Sequence, residues 1–308
     1  MGKIAFVFAG QGSQYTGMGK DLYENSKGAK EVFDEIEKLR PNTINQCFNG
    51  TKEELSQTIN TQPCIFAVDL ACAKALNEKR IYADAVAGFS LGEIPALYYS
   101  EILSLEESIK FIIKRAEFMQ NCSAQNPGSM VAVLRLSKEQ VENACGEFEN
   151  LYPVNYNCQG QIVVAGQDDQ MDLFSKRILE IGGKAIKLAV SGAFHSPFMI
   201  QASEEIEKYL APIQIKQPII PIYSNVLGDI YRENIKELVS LQVKSPVLWQ
   251  DTIENMIDQG FDIFIEVGAG KVLSGLIKKI SSEVDVYNVE DMISLEKTVS
   301  ELNGGCNA

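Results

Sequence analysis

The sequence predicts an α/β chain: a large domain built on a mostly parallel sheet, with a smaller domain of different texture set into it. Strand-like runs alternate with helix-length amphipathic segments along most of the chain, as they do where helices cover a parallel sheet. Between about 126 and 190 the order becomes strand, helix, two strands around a tight turn, helix, strand. At 308 residues the chain is long enough to build a sizeable core in such an arrangement.

The elements follow in order. "KIAFVFAG", at 3 to 10, is apolar, β-branched and aromatic, the composition of a buried strand. "QPCIFAVDLACAKALNEK" has helical period and "DAVAGF" is a strand again. "SLEESIKFIIKRAEFMQ" is a helix on which Ser104 and Glu107 have the spacing of a capping box. The strand "GSMVAVLR", the helix "SKEQVENACGEF", the strands "LYPVNYN" and "QIVVAG" around Cys158-Gln159-Gly160, the helix "DQMDLFSKRILEIG" and the strand "KAIKLAV" follow. That β-α-β-β-α-β order is the ferredoxin-like split pattern, and it places an inserted subdomain at 126–190 within a large domain formed by 1–125 and 191–308. "IIPIYSNV" and "FDIFIEVG" read as further strands of the large domain.

Composition narrows the function classes. A formal charge of −13 disfavours nucleic acid and anionic membranes as partners, because both require concentrated Lys and Arg. No apolar run approaches the roughly 18 to 20 residues that a bilayer span needs. Seven cysteines, at 47, 64, 72, 122, 145, 158 and 306, include no Cys-x-x-Cys pair, which argues against a zinc cluster and a disulfide framework and for a reducing, cytoplasmic setting. Two glycine motifs carry little. "GQGSQY" has Tyr15 where a dinucleotide fingerprint needs its third glycine, and "GAGK", at 268 to 271, lacks phosphate-loop spacing and reads as a strand-to-helix turn.

The chemistry gathers at "AVAGFSLGEIPAL". Gly88-Phe89-Ser90-Leu91-Gly92 has the Gly-x-Ser-x-Gly spacing of a nucleophile elbow, and its context of strand, sharp turn and helix is the one that motif requires. Ser90 is either that nucleophile or the cap of the helix. At a helix start the amide of Leu91 is placed to meet a developing oxyanion. A serine needs a base, and the chain has a single histidine, His195, in "SGAFHSP" on a loop flanked by Gly192 and Pro197. No Asp or Glu lies in that loop, so a backbone carbonyl is a candidate to orient the imidazole. Arg115 falls at the edge of the apolar stripe Ile109, Ile112, Ile113, Ala116 and Met119, where a half-buried guanidinium suits a carboxylate; Lys114 points away. The same position also suits an arginine that merely snorkels from a helix flank.

Taken together, "FAGQGSQYTGMG" (8 to 19), "GFSLGE" (88 to 93), "KRAEFMQ" (114 to 120), "GAFHS" (192 to 196) and "LQVKSPVLW" (241 to 249) resemble the malonyl-CoA:acyl carrier protein transacylases, the acyltransferase family of fatty acid and polyketide synthesis. The likeness is collinear from Ile4 to about Ile280. It implies an α/β-hydrolase-like large domain with a ferredoxin-like insertion. It further implies Ser90 as nucleophile, His195 as base oriented by the Gln242 carbonyl, and the amides of Gln11 and Leu91 as oxyanion hole. Arg115 would hold the malonyl carboxylate, with Gln62 near the acyl group and Met119 and Phe194 lining its pocket. Malonyl-CoA and acyl carrier protein would be the substrates, with no metal and no resident cofactor. One departure stands out: the family mostly has histidine where this chain has Phe89. Pro95 lies close behind the helix start, where proline costs least. Because the chain is itself acidic, docking of a carrier protein would need a local basic patch, for which Lys184 and Lys187 are candidates. The rival readings are a thioester hydrolase built on the same elbow, which has no use for Arg115, and a silent carrier-protein binding module, against which Ser90, His195 and Arg115 speak.

Overall fold

The run "KIAFVF" folds as strand β1 (Lys3–Phe8), in which the five residues after Lys3 are buried. In chain order it is followed by β2 (Ala85–Gly88), β3 (Ser129–Leu134), β4 (Leu151–Cys158), β5 (Gln161–Gly166), β6 (Lys184–Lys187), β7 (Phe261–Val267) and β8 (Asp285–Val289). The computed structural model describes residues 2–190 and 192–304. Cys306 lies outside the described residues.

The described strands form two four-stranded sheets, one in each of two compact units. The first unit takes in the chain up to Ile113, Gln214–Tyr223 and the chain from Met256 on. Its sheet has the order β2-β1-β7-β8 and every pairing is parallel. Strands covered on both faces read as continuous apolar runs, as β1 does after Lys3; in β7 the run is confined to Ile263–Ile265, between Asp262 and the buried Glu266. Phe8 is in register with both Gly88 and Val267, so the loops after β1, β2 and β7 leave one end of the sheet together. That carboxyl-terminal end is where open parallel sheets bind ligands.

The helix Thr58–Glu78 is buried along most of its length. Pro63 sits inside it and cannot donate to the carbonyl of Ile59, which instead accepts from Arg40 Nη2 at 3.2 Å. "GAGK" is the strand-to-helix turn expected of it, between β7 and the helix Val272–Ile280. Gly268, at φ 124°, must be glycine, since a side chain there would collide with the Asp69 carboxyl.

The expected strand "IIPIYSNV" shrinks to an isolated parallel bridge between Val86 and Ile222. Pro221 lends its carbonyl to Val86 N–H at 2.9 Å but has no N–H of its own, and Pro218 stands just before the run. Strand β8, by contrast, gave no clear signal: its residues are mostly half-exposed and begin with Asp285.

The second unit comprises Lys114–Ile213 and Ser224–Asn255. Its sheet has the order β4-β5-β3-β6 with antiparallel pairings throughout, which is the ferredoxin-like arrangement the sequence order predicts. The helices Lys138–Gly146 and Asp168–Glu180 cover it, burying Val141, Phe174 and Ile178 against Val131, Val133 and Val164. A capping box of Ser137 and Gln140 starts the first of these helices. At the edge of the sheet, Tyr156 N–H donates to Val247 O at 3.0 Å and Val247 N–H to Val154 O at 2.8 Å. The stretch "LQVKSPVLW" is thereby fastened to β4.

Candidate active site

In the first unit, Ser90 follows β2 after a single residue and has φ 54°, a left-handed conformation that costs a non-glycine residue energy and is held only by its surroundings. The surroundings are tight main chain. A side chain at Gly88 would strike the Gly92 carbonyl, and one at Gly92 would strike the carbonyls of Phe8 and Ala9. Phe89 N–H donates to Phe8 O at 3.1 Å and Gly92 N–H to Phe89 O at 3.0 Å. The chain then runs through a single 3-10 turn, Ser90–Gly92, into the helix Glu93–Tyr99, with Pro95 in its first turn as expected. The first N–H groups of a helix have no acceptor within it, and Leu91 brings its amide to that end.

Gln11 lies in the loop after β1, the strand that neighbours β2. Ser13 Oγ–H donates to Gly10 O at 2.8 Å and Gly12 N–H to Gln14 Oε1 at 2.8 Å, so the loop is shaped by its own polar groups. Gly10 leaves room for the Phe89 carbonyl, which a Cβ would approach to 2.6 Å. The Phe89 ring packs beside the same glycine. Gln62 is fully buried on the helix Thr58–Glu78, which packs on the Ser90–Gly92 turn.

In the second unit, His195, Arg115 and Gln242 form one hydrogen-bonded group. His195 Nδ1 lies 2.9 Å from the Gln242 backbone carbonyl. A carbonyl only accepts, so Nδ1 carries the proton and Nε2 keeps the lone pair that a base requires. His195 N–H also donates to Val243 O at 2.9 Å, and the residue has φ 61°. Arg115 Nη2–H donates to the side-chain Oε1 of the same Gln242 at 2.8 Å. The imidazole is pushed down to about 4, first by burial and next by the Arg115 guanidinium, against the backbone contacts of Gln242 and Ser245.

Arg115 is more buried than its helix position suggests, with 1% exposed. Helical period put it at the margin of an apolar stripe; the His195 loop and the Gln242 turn, both distant in sequence, supply its surroundings. Lys114 faces outward, as expected, and there it pairs with Glu117. Met119 is buried one turn beyond Arg115 and accepts from Ser123 Oγ–H at 2.9 Å through its carbonyl. Gly192 lies over Ser123 and beside the Phe194 ring, with no room for a side chain, and Phe194 is itself buried.

A sequence model of the acyl transferase domain matches residues 5–301. The chain belongs to this acyl transferase family. Among curated relatives, the malonyl CoA-acyl carrier protein transacylase of Bacillus subtilis (strain 168) is 40% identical over 310 residues, covering 98% of each chain. That of Staphylococcus aureus (strain MRSA252) is 36% identical over 300 residues, 95% of this acyl transferase and 97% of the relative. The crystal structure of malonyl CoA-acyl carrier protein transacylase from Clostridium perfringens matches with a TM-score of 0.95 at 42% identity, covering 98% of both chains. A malonyl-transacylase in complex with a type II polyketide synthase acyl-carrier protein matches at 0.93 and 30% identity, covering 97% of this chain and 99% of that one.

What sequence reading of this acyl transferase missed is the second use of Gln242. Its backbone role came with the family likeness, but nothing in "LQVKSPVLW" signals that its side chain reaches Arg115, 127 residues away.

Proposed function

We propose that the protein moves a malonyl group from malonyl-CoA to the phosphopantetheine thiol of an acyl carrier protein through a malonyl-serine ester, supplying extender units for fatty acid or polyketide synthesis. Ser90 is the nucleophile and His195 the base. Nε2 takes the Ser90 proton as Oγ attacks the thioester carbonyl, and the amides of Gln11 and Leu91 receive the oxyanion. Collapse breaks the C–S bond, and coenzyme A leaves as a thiol with the proton that His195 held. In the second half His195 takes the proton of the carrier thiol, the thiolate attacks the ester, and Ser90 leaves with that proton. Arg115 binds the malonyl carboxylate, Met119 and Phe194 bound the acyl group, and Gln62 lies near it. The scheme draws on no metal and no resident cofactor.

The observation that carries this reading is the buried guanidinium of Arg115 held beside the His195 imidazole by Gln242. A buried cation next to a base has an evident use when the acyl group carries its own carboxylate. A hydrolase of monocarboxylic chains has none. Cys47, Cys64, Cys72, Cys122 and Cys145 are buried free thiols, which supports a cytoplasmic setting. No helix among the described residues is long and apolar enough to cross a membrane.

Incubation with labelled malonyl-CoA followed by intact mass and peptide mapping tests the scheme. A stable adduct on Ser90, discharged by carrier protein and absent in Ser90→Ala, is expected. Rapid release of free malonate in place of a stable adduct would establish a hydrolase, and no adduct with no turnover a silent binding module.

A further inference from the structure

If Arg115 selects the acyl group, something must aim it without discharging it. We propose that the side-chain amide of Gln242 is a specificity-determining positioning group, which fixes the Arg115 fork for a carboxylate and leaves its charge available to substrate. The inference rests on the proposed function and adds to it which residue sets acyl selectivity.

Gln242 and Arg115 are each 1% exposed, so a donor left unanswered there would be costly. Oε1 answers one N–H on Nη2 at 2.8 Å. Being neutral, the amide removes no net charge from the pocket. A carboxylate in its place would close an ion pair with Arg115 and compete with the substrate's own carboxylate. Guanidinium is planar, so a well-directed bond to Nη2 restricts the plane in which its other donors lie.

The root of the side chain is equally fixed. The Gln242 carbonyl is held by His195 Nδ1–H at 2.9 Å, and the next carbonyl, of Val243, by His195 N–H at 2.9 Å. Gln242 thus touches the base through its main chain and the carboxylate receptor through its side chain, so the two can be separated by substitution: every residue retains the carbonyl, but only some retain the acceptor.

The test compares wild type with Gln242→Met, which keeps length but has no comparable acceptor, and Gln242→Glu, which keeps the acceptor and adds charge. kcat/KM is measured with malonyl-CoA and with acetyl-CoA, whose acyl group has no carboxylate, together with the pH profile and a thermal melt. In Gln242→Met the malonyl-to-acetyl ratio is expected to fall about ten- to a hundredfold, mainly through KM for malonyl-CoA, with the acid limb of the pH profile in place. In Gln242→Glu the ratio falls further and the acid limb moves to higher pH. If the methionine variant does not fold, the glutamate variant carries the test. Equal loss toward both acyl groups, or an unchanged ratio, overturns the inference and leaves the proposed function standing. A wild-type protein that loads no malonyl overturns both.

Discussion

Ser90 and His195 share an unusual backbone state, with φ of 54° and 61° respectively. Neither is glycine, so each conformation is maintained by neighbours: the glycines of the elbow for one, the carbonyls of Gln242 and Val243 for the other. For His195 the burial has a measurable consequence. An unfolded histidine titrates near 6.5, so between that value and about 4 the unfolded chain binds a proton that the folded chain refuses. Stability contributed by this residue is present above that window and lost as pH falls through it. For the reaction, the acid limb of kcat/KM, which reports the free enzyme, is expected well below 6.5 and toward 4, and Arg115→Gln should raise it. A wild-type limb at 6.5 would contradict the assignment. Candidate residues stand out most clearly in the sequence, because Ser90 lies in a spaced motif and His195 is the single histidine. The depth of Arg115 does not, since helical period describes one element and burial depends on what packs against it.

Among the elements, β1, β2, β7 and the β-α-β-β-α-β run from Ser129 to Lys187 appear where apolar content and period put them. The failures have local causes: Pro221 reduces an apolar run to a bridge, and β8 is too exposed to show a pattern. The helix Thr58–Glu78 carries a further anomaly. Asp69 is fully buried and neither carboxyl oxygen has a hydrogen-bond partner among the described residues. Burial, and secondarily Glu266, holds its carboxyl well above the usual carboxylate range. Glu266 differs, accepting from the backbone amides of Leu273 and Ser274. A raised acid contributes stability that is full below its unfolded value, near 3.9, and lost as pH rises. Asp69→Asn should therefore gain on wild type as pH rises, with the difference in Tm widening from pH 4 to pH 8 by calorimetry. A constant or shrinking difference would show that the carboxyl is answered by a group other than those described.

Across the whole molecule the charge is −13, so any anionic partner meets a repulsive field unless a local patch offsets it. Lys184 and Lys187 are exposed on β6, an edge strand of the small sheet, though Lys187 already lies 3.4 Å from Asp168. Such a surface pair is weak and leaves the charge usable. Reversal of both lysines to glutamate is expected to raise KM for an acidic carrier protein about three- to tenfold at low salt, fading as ionic strength rises. An unchanged KM would move the docking face elsewhere. The compact unit around the small sheet also takes in more chain than the split βαββαβ run itself, because Val247 pairs with β4. Five residues upstream of that pairing is the carbonyl that sets the tautomer of His195. Grafting the inserted sheet alone from one relative onto another would therefore tear the imidazole's mooring from its support; a working chimera has to exchange residues 242–247 as part of the same cassette.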